Sequence, residues 1–443
     1  MTKSRRKFLK HSFAFTAGAT LTTAMAGTLS SCSTRTITVG AIGVRNMGYA
    51  DMKAFLRQNT KDNPNNINLK ALCDVDQNVL HQRAAWVEKQ TGKKPDLYKD
   101  FRKLLEDKEI DAVIIGTPDH WHALMTVLAM EAGKHVYVEK PMANSVEEAI
   151  IMEEAAKRYN KVVQVGQWQR SGPHWQDAID YLWSGKLGKV SRVKAWAYTS
   201  KKPLPAKPDG PVPEGVDYDM WLGPAPKRPF NPNHFHYNFR YFWDYAGGLM
   251  ADWGVHMLDF ALYGMDVDIP LRVFAMGGKL AHPEDARQVP DTLNVLYDFK
   301  DFTVEWEHSI TLSQKKYNSS AGIAFQGNNG MLIINRSGWE VRPEHDVKES
   351  LAKGVPFTKG SGDLDKHVAN FLECIRDNDR NTHASVTVGK KVTTLVHMGN
   401  IAYRTGEILL PHKSGNELTF NNSSKVKDLL MPQYRSPWKL PNI

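Results

Sequence analysis

The chain has 443 residues, of which 42% are hydrophobic and 24% charged, with a formal net charge of +9 and three cysteines. This length and composition predict two folded domains, and the cysteines are too few for a disulfide framework. Five of the positive charges lie in residues 1–31, which hold no acidic residue, so removing that segment lowers the charge from +9 by five to +4. The basic excess therefore gives little support to nucleic-acid binding, and we expect no nucleic-acid partner.

Residues 1–31 have the pattern of an export signal. The stretch Ser4-Arg5-Arg6-Lys7-Phe8-Leu9-Lys10 shows the twin-arginine pattern, and the apolar run that follows is too weak and Thr-rich for a membrane span. Leu29-Ser30-Ser31-Cys32 resembles the box where a bacterial lipoprotein is cut and acylated. We therefore expect an exported periplasmic or cell-envelope lipoprotein, held to the membrane only by a lipid on Cys32. The alternative is an ordinary cleavage site with an incidental Cys32.

Residues 35–165 alternate short β-branched runs with helical patterns, which is typical of β-α-β units around a parallel sheet. We therefore predict an α/β Rossmann domain over this range. Its predicted strands are 36–42, 67–73, 112–116, 135–138 and 162–165, and its predicted helices are 52–58, 77–91, 101–107, 123–132 and 146–159.

Residues 166–443 change to longer alternating strands, which indicates a second, α+β domain with an open, mostly antiparallel sheet. A Pro- and aromatic-rich loop at 201–245 is too long for a plain connection, so we predict a functional role for it. Because an open sheet commonly offers a face to a second copy, we expect a homo-oligomer. The predicted strands are 190–198, 271–276, 292–299 and 303–312, and helices at 365–376 and 390–406 could return to cover the first domain.

The first predicted strand runs into a glycine loop, Gly40-Ala41-Ile42-Gly43-Val44-Arg45-Asn46-Met47-Gly48. A strand followed by glycines that open a helix brings backbone N–H groups and the helix dipole to a pyrophosphate. Arg45 stands where the dinucleotide fingerprint has its middle glycine, and it could instead pair with a phosphate. We assign Gly43, Arg45, Asn46 and Met47 to cofactor binding.

Asp74 supports the same interpretation, because it ends the second predicted strand in Leu72-Cys73-Asp74-Val75-Asp76. A carboxylate at this place accepts hydrogen bonds from the adenosine ribose and repels a 2′-phosphate. We therefore expect NAD as the cofactor. NADP stays open because Arg45 could receive the additional phosphate.

Four further motifs follow in chain order. They are Thr117-Pro118-Asp119-His120-Trp121-His122, then Val138-Glu139-Lys140-Pro141, then Gly247-Gly248 with Asp252-Trp253-Gly254-Val255-His256-Met257-Leu258-Asp259, and finally Gly399-Asn400-Ile401-Ala402-Tyr403-Arg404. In this order, and after the glycine loop, they resemble the Gfo/Idh/MocA family of glucose–fructose oxidoreductase and inositol dehydrogenase. The resemblance covers nearly the whole chain beyond the leader.

The resemblance implies a catalytic group made of Lys140, Asp252 and His256. Lys140 ends a parallel strand, where an ammonium can hydrogen-bond a hydroxyl that becomes a carbonyl. Asp252 and His256 stand four residues apart, so on one helix they would project from the same face. We predict that His256 takes the hydroxyl proton while Asp252 orients the substrate.

The resemblance also implies further contacts to cofactor and substrate. To the cofactor it adds Thr117, Pro118, His122, Glu139, Lys140 and Gln167. To the substrate it assigns Trp168, Arg170, Tyr245, Asp252 and His256.

The histidine pairs His120/His122 and His234/His236 alternate as in some metal sites, but neither lies in a cluster of Cys or acidic residues. We therefore expect no metal. The aromatic side chains of the 201–245 loop could stack on sugar rings or pack against a subunit partner.

These observations predict an exported NAD(P)-dependent oxidoreductase that acts on a hydroxyl of a sugar or related polyol, with its cofactor tightly bound. Two alternatives stay open. In one, oxidation is transient and the net reaction is NAD-dependent cleavage of a glycoside. In the other, the protein is a lipoprotein that binds sugar without converting it.

Overall fold

A computed structural model describes residues 35–61, 66–348, 353–414, 417–420 and 423–443. The leader predicted for residues 1–31 and the acylation site predicted at Cys32 lie outside these ranges. Residues Thr36–Ile443 form one compact unit. Across the described ranges, no helix combines the length and the apolar character needed to span a bilayer.

The N-terminal half is built on a fully parallel six-stranded sheet, in the order β3-β2-β1-β4-β5-β6. The strand order reverses between β1 and β4, and in such sheets ligands bind at the carboxyl ends of the strands at this point. The strands are β1 (Ile37–Ile42), β2 (Ile67–Cys73), β3 (Asp96–Tyr98), β4 (Ala112–Ile115), β5 (His135–Val138) and β6 (Val163–Val165).

Helices connect these strands, as predicted. Three begin at side-chain caps, because Asp76, Asp100 and Ser145 accept hydrogen bonds from backbone N–H groups of the following turn. The helices are α1 (Asn46–Leu56), α2 (Gln77–Thr91), α3 (Phe101–Glu106), α4 (Asp119–Glu131) and α5 (Val146–Tyr159). Helices α1 and α4 begin earlier than predicted, since their first turns carry polar residues and lack the apolar spacing that marks a helix.

The C-terminal half contains an eight-stranded sheet in the order β14-β13-β12-β11-β7-β10-β9-β8. All neighbours in it are antiparallel except β7 and β10, which confirms the predicted mostly antiparallel sheet. The strands are β7 (Val190–Tyr198), β8 (Arg272–Gly278), β9 (Thr292–Asp298), β10 (Thr303–Ser309), β11 (Ala321–Gly327), β12 (Gly330–Asn335), β13 (Gly338–Pro343) and β14 (Val355–Lys359).

One face of this sheet is covered by helices. Its apolar positions join those helices in one buried cluster that includes Trp175, Phe260, Trp306 and Phe325. The helices of this half are α6 (Pro173–Trp183), α7 (Tyr218–Leu222), α8 (Gly248–Asp252), α9 (Gly254–Met265), α10 (Leu364–Asp377) and α11 (Val386–Thr405). A hairpin of β15 (Pro411–Ser414) and β16 (Glu417–Phe420) and the short α12 (Ser424–Lys427) follow.

Helices α10 and α11 return to the first sheet. On α10, the Phe371 ring lies 6.1 Å from Phe55 and 5.9 Å from Tyr137, measured between ring centroids. On α11, Lys390 donates to the Glu153 carboxylate of α5 at 2.6 Å. Further on, the Trp438 ring packs 4.9 Å from that of Trp121. Segments from the end of the chain therefore complete the core of its beginning.

Two cysteines lie within the described ranges. Cys73 ends β2 and Cys374 lies on α10, and both are buried free thiols.

Candidate active site

Three glycines let the loop after β1 press against the end of β4. Gly43 has φ +77°, and a Cβ on Gly48 would lie 1.9 Å from the Gly43 carbonyl oxygen. A Cβ on Gly116 would lie 2.5 Å from the Gly48 Cα. Only hydrogen fits at these contacts, so the loop keeps its close packing although Arg45 replaces the middle glycine of the fingerprint.

Helix α1 begins at this loop without a side-chain cap, because Arg45 at its N-cap position makes no capping hydrogen bond. The Arg45 side chain therefore leaves the first backbone N–H groups of α1 uncapped. Uncapped N–H groups at the start of a helix can bind an anion.

A cavity of about 1000 Å³, counting space open to solvent, lies above this loop and is called here the glycine-loop cavity. Every predicted cofactor residue except Gln167 lines it. Those residues are Gly43, Arg45, Asn46, Met47, Asp74, Thr117, Pro118, His122, Glu139 and Lys140. Side chains that the sequence analysis did not assign complete the wall, among them Lys99, Phe101, Asp119, Trp121, Met220, Trp221, His236, Phe239 and Arg240.

Asp74 is placed as predicted, at the end of β2 on the cavity wall. Its Oδ2 accepts from the Val44 N–H at 2.9 Å and its Oδ1 from the Asp76 N–H at 3.0 Å. Burial raises its pKa to about 6, although these two hydrogen bonds oppose the shift. Each carboxylate oxygen accepts one of these bonds and can accept another, and a ribose diol offers two donors.

His122 reaches the cavity through its ring, but its nitrogens face the protein. Nδ1 lies 2.7 Å from the Pro141 carbonyl and Nε2 lies 2.8 Å from the Thr117 carbonyl. Burial lowers the pKa of this imidazole to about 4, so it is neutral near pH 7. A neutral imidazole carries one N–H, so it donates to only one of these two carbonyls at a time.

Glu139 is buried beneath Lys140. Its Oε1 has no hydrogen-bond partner in the described part of the chain, and burial raises its pKa to about 7. The carboxylate lies against Gly166, where a Cβ would meet Oε1 at 2.2 Å. Gln167 follows at the end of β6, and both of its amide atoms are buried without a partner among the described residues. It is not part of the cavity wall, so its cofactor contact stays a prediction.

A second opening of about 1450 Å³, counting open solvent, adjoins the first and is called here the Asp252 cleft. It shares Asn46, Met47, Lys140 and Arg240 with the glycine-loop cavity. Its other walls include Trp168, Tyr237, Asp252, Trp253, His256 and Arg336. The two spaces therefore meet at Lys140.

Lys140 and Asp252 form an ion pair at this junction. The Lys140 Nζ lies 2.5 Å from Asp252 Oδ1 and 3.0 Å from the Asp252 carbonyl oxygen, and its side chain is 11% exposed. Burial alone would raise the pKa of Asp252, but Lys140 and Arg240 outweigh burial and hold it at about 2. The carboxylate is therefore ionised at every working pH.

His256 lies in the same cleft with its imidazole buried. Its Nδ1 has no hydrogen-bond partner among the residues described, and the rings of Trp253 and Trp168 lie 6.1 Å and 6.3 Å away. Burial, together with the charges of Arg336 and Lys140, lowers its pKa well below the ordinary value of 6.5. A neutral imidazole can accept a proton at the ring nitrogen that carries no hydrogen.

The prediction that Asp252 and His256 share one helix is wrong. Helix α8 ends at Asp252 and α9 begins at Gly254, with Trp253 between them. The His256 N–H bonds the Trp253 carbonyl three residues back, which tightens the turn at the junction. Both side chains still line the Asp252 cleft, because the junction itself faces it.

Two predicted substrate residues do not reach either opening. Arg170 donates to both carboxylate oxygens of Asp259, at 2.7 Å and 2.8 Å, and lies over the Tyr263 ring. Tyr245 is fully buried between the rings of His120 and Trp221. Asp259 satisfies Arg170, whereas the Tyr245 hydroxyl has no hydrogen-bond partner among the described residues. Trp168, in contrast, does line the cleft.

The 201–245 loop forms a core of its own. Its aromatic side chains pack on one another in one cluster that includes Tyr218, Trp221, Phe235, Tyr241 and Tyr245. Tyr237 instead remains 46% exposed on the cleft wall. Most of these side chains therefore pack within the chain, which is neither of the two interpretations, and contact with a ligand or a subunit partner stays open for the exposed ones.

Members of both histidine pairs bind groups of the protein itself. His120 Nε2 bonds the Trp221 carbonyl at 3.1 Å, and His236 Nε2 pairs with Asp76 at 3.0 Å.

Sequence reasoning missed several residues at the junction. Asp119 lies within one of the sequence motifs, and Arg240 lies within the loop predicted to be functional, so the sequence pointed to both regions. No sequence feature pointed to Arg336, because it lies in the β12–β13 turn, in a segment without any motif.

Comparison with known families agrees with this architecture. Residues 192–440 match the profile described as oxidoreductase family, C-terminal alpha/beta domain, and residues 37–167 match the NAD-binding Rossmann fold of the same family. The chain belongs to the Gfo/Idh/MocA oxidoreductase family. The resemblance in its motifs is thereby confirmed.

Among curated proteins, this Gfo/Idh/MocA chain is 39% identical over 129 residues to a glycosyl hydrolase family 109 protein of Shewanella baltica. It is 37% identical over 129 residues to an alpha-N-acetylgalactosaminidase of Shewanella oneidensis. Each match spans 28% of this chain and 27% of the relative, so about a quarter of each relative's length is compared.

Solved structures share the fold at low identity. Levoglucosan dehydrogenase, in complex with NADH and levoglucosan, has a TM-score of 0.65 at 20% identity and covers 85% of this chain and 100% of its own. The WlbA dehydrogenase of Bordetella pertussis, in complex with NADH and UDP-GlcNAcA, has a TM-score of 0.64 at 18% identity, over 86% of this chain and 100% of its own.

Proposed function

We propose that this family member is a nicotinamide-dependent oxidoreductase that acts on a hydroxyl of a sugar or related polyol and keeps its dinucleotide tightly bound. The observation that carries the proposal is the position of Lys140. It lines both openings and is held by Asp252, and His256 lies in the same cleft.

The residues around the glycine-loop cavity fit a dinucleotide. The uncapped start of α1 suits the pyrophosphate, and the Asp74 carboxylate suits the adenosine ribose. Thr117, Pro118, His122 and Lys140 would border the nicotinamide end. NAD is favoured over NADP because Asp74 would repel a 2′-phosphate, although Arg45 lies on the same wall.

A bound nicotinamide supplies a hydride acceptor or donor, and the protein supplies the proton chemistry. Lys140 donates a hydrogen bond to the reacting oxygen and stabilises negative charge that develops there. His256, which lines the same cleft, accepts the hydroxyl proton. Asp252 fixes the Lys140 ammonium and accepts hydrogen bonds from substrate hydroxyls through its remaining lone pairs.

Net glycoside cleavage is the second candidate function, and the relatives named as glycosyl hydrolases favour it. In that reaction the C3 hydroxyl is oxidised to a ketone, which acidifies the C2 proton. The C2 proton and the C1 substituent leave, water adds at C1 and C2, and the ketone is reduced again. The cofactor is regenerated in each cycle, which suits a dinucleotide that does not dissociate.

The test is a panel of sugars and aryl glycosides with the purified protein, in which nicotinamide absorbance and released aglycone are followed together. Reduction of the dinucleotide without aglycone release supports simple oxidation. Aglycone release without net reduction supports cleavage. If the sugars bind but neither signal changes, the protein is a sugar-binding lipoprotein and the proposal fails.

We also propose that the protein is exported and anchored, on the strength of the twin-arginine stretch and Cys32. Cell fractionation of the wild type and the Cys32→Ser variant tests this. The wild type is expected with membranes and the variant in the soluble fraction. A soluble wild type whose mature N-terminus lies away from residue 32 contradicts the anchor.

We also propose that the protein forms a homo-oligomer. The uncovered face of the second sheet exposes Phe274, Met276 and Leu296 on β8 and β9, as an interface between copies would require. Light scattering should give a mass above one chain, and Met276→Glu should lower it. A monomeric wild type at micromolar concentration refutes this.

A further inference from the structure

Arg336 contacts two tryptophan rings at the wall of the Asp252 cleft. Its guanidinium carbon is 4.6 Å from the ring centroid of Trp168 and 4.6 Å from that of Trp253. Cation–π contacts with two indoles hold a guanidinium in place, and its N–H donors lie in the plane of the group.

One of these donors is already used. Arg336 Nε donates to the Gln169 side-chain oxygen at 3.0 Å. Within the described ranges, its Nη groups have no acceptor, and Arg336 lines the cleft together with His256 and Lys140. The Nη groups are thus oriented donors at the edge of the space where a substrate would lie.

Among the described residues, no carboxylate forms a direct ion pair with Arg336, although Asp252 and Glu139 attract its charge from a longer distance. In the same cleft, Lys140 pairs with Asp252, and Arg57 pairs with Asp365 at 2.5 Å. Asp363 also lines the cleft; its Oδ1 accepts from the Ser361 hydroxyl at 3.3 Å, and its Oδ2 has no partner among the described residues. Burial lowers the pKa of Arg336 to about 10, so it remains a cation near pH 7.

A half-buried cation with free, in-plane donors is suited to an anion. A carboxylate matches it best, since its two oxygens lie in one plane and accept two parallel N–H bonds from a guanidinium. We propose that Arg336 binds a carboxylate on the substrate, so that the preferred substrates are sugar acids such as hexuronic acids or their glycosides. This inference rests on the proposed sugar oxidoreductase and names its substrate class.

The experiment compares matched sugars that differ only at the carboxylate: methyl glucoside against methyl glucuronide, and methyl galactoside against methyl galacturonide. Binding to the dinucleotide-loaded protein is followed by quenching of tryptophan fluorescence, because Trp168 and Trp253 flank the site. Turnover is followed by nicotinamide absorbance. The acid of at least one pair should bind more tightly than its neutral partner by about 10- to 150-fold, as expected for charge-assisted hydrogen bonds.

Arg336→Gln should remove that advantage, so the acid loses about 10- to 150-fold in affinity while the neutral sugar changes by less than about threefold. Arg336→Lys keeps the charge without the planar fork and should recover only part of the preference. Arg404→Gln is the matched control, because Arg404 also stacks on a tryptophan, Trp243, at 4.8 Å but does not line the cleft.

Equal losses for acid and neutral sugars in Arg336→Gln would show that Arg336 only supports the tryptophans, and this overturns the inference. A wild type that binds the neutral sugars at least as tightly as the acids also overturns it. In that case, turnover of neutral sugars leaves the proposed oxidoreductase intact. Preference for sulfated sugars over the carboxylates would likewise reject the carboxylate assignment.

Discussion

The glycine-loop cavity and the Asp252 cleft meet at Lys140 but are built in different ways. The glycine-loop cavity owes its shape to backbone, since Gly43, Gly48 and Gly116 bring the loop and the end of β4 into contact. The Asp252 cleft is made of charged and aromatic side chains that come from both halves of the chain. The first arrangement suits an invariant ligand part such as a pyrophosphate, and the second can change with the substrate while the fold is kept.

The difference predicts where substitutions act. Changes in the Asp252 cleft should reduce the rate of reaction while dinucleotide binding remains. Changes in the glycine-loop cavity should reduce dinucleotide binding first. The following variants test this division, from the largest expected effect to the smallest.

Lys140 lines both the glycine-loop cavity and the Asp252 cleft, so its replacement is the strictest test of whether the rate and dinucleotide binding can be separated. Lys140→Met should lower kcat by about a hundred- to ten-thousand-fold, because the developing charge on the substrate oxygen loses its donor. Bound nicotinamide, measured by absorbance of the purified protein, should be retained. Lys194→Met is the control, since Lys194 pairs with Glu305 on the second sheet. Wild-type rates of single-turnover hydride transfer in Lys140→Met would reject the catalytic assignment.

His256 should show its role in the pH profile as well as in the rate. His256→Asn should lower kcat by about a hundred- to a thousand-fold without loss of dinucleotide. The neutral imidazole is the active form, and burial lowers its pKa, so the wild-type rate should stay level as pH falls through 6.5 and decline only at lower pH. The variant should lack that acid limb. A wild-type decline centred near 6.5 would mean that a solvated group controls the rate.

Asp74 tests the other cavity. Asp74→Ala should weaken NAD binding by about 10- to 100-fold and reduce discrimination against NADP, because the ribose loses an acceptor and the 2′-position loses a repelling charge. Affinity for both dinucleotides would be measured by titration calorimetry. Asp96→Ala is the control, since Asp96 lies on the same sheet but is not part of the cavity wall. Unchanged NAD affinity in Asp74→Ala would remove it from the site.

The same contrast explains what the sequence could predict. Strands β2, β5 and β7 and helices α2 and α5 have the predicted bounds, because buried runs and the caps Asp76 and Ser145 act locally. The glycine-loop cavity was predictable for the same reason, since its residues follow consecutive strands whose ends meet at one edge.

The Asp252 cleft was only partly predictable, because long-range packing decides which side chains reach it. Arg170 lies two residues after Trp168 in the sequence, yet it pairs with Asp259 and does not line the cleft. Arg336 enters from a distant hairpin turn, and its tryptophan partners are set by tertiary structure alone.

The smallest expected effect concerns the contact between α5 and α11. Lys390, Thr387 and Lys157 outweigh burial and hold the pKa of Glu153 at about 2. A depressed carboxyl pKa stabilises the fold fully above the unfolded value of 4.5, and the contribution is lost as pH falls toward 2. Glu153→Gln should therefore cost about 1–3 kcal/mol of unfolding free energy at pH 7 and progressively less below pH 4.5.

Urea unfolding of Glu153→Gln at pH 7 and pH 3 measures this dependence, provided that dinucleotide binding is monitored in parallel. Glu147→Gln, on the exposed side of the same helix, is the control and should change stability by less than about 0.5 kcal/mol. A pH-independent difference for Glu153→Gln would show that the contact acts by packing and not by charge.

The return of α10, α11 and the Trp438 segment to the first sheet has a consequence for synthesis. Phe55 and Trp121 are covered by Phe371 and Trp438, which leave the ribosome only after both sheets have been translated. The nascent N-terminal half should therefore expose part of its apolar core until these residues arrive, and it should be a client of chaperones during that time. We therefore expect dinucleotide binding to follow the arrival of these distant segments, because they pack on the helices that support the cavity.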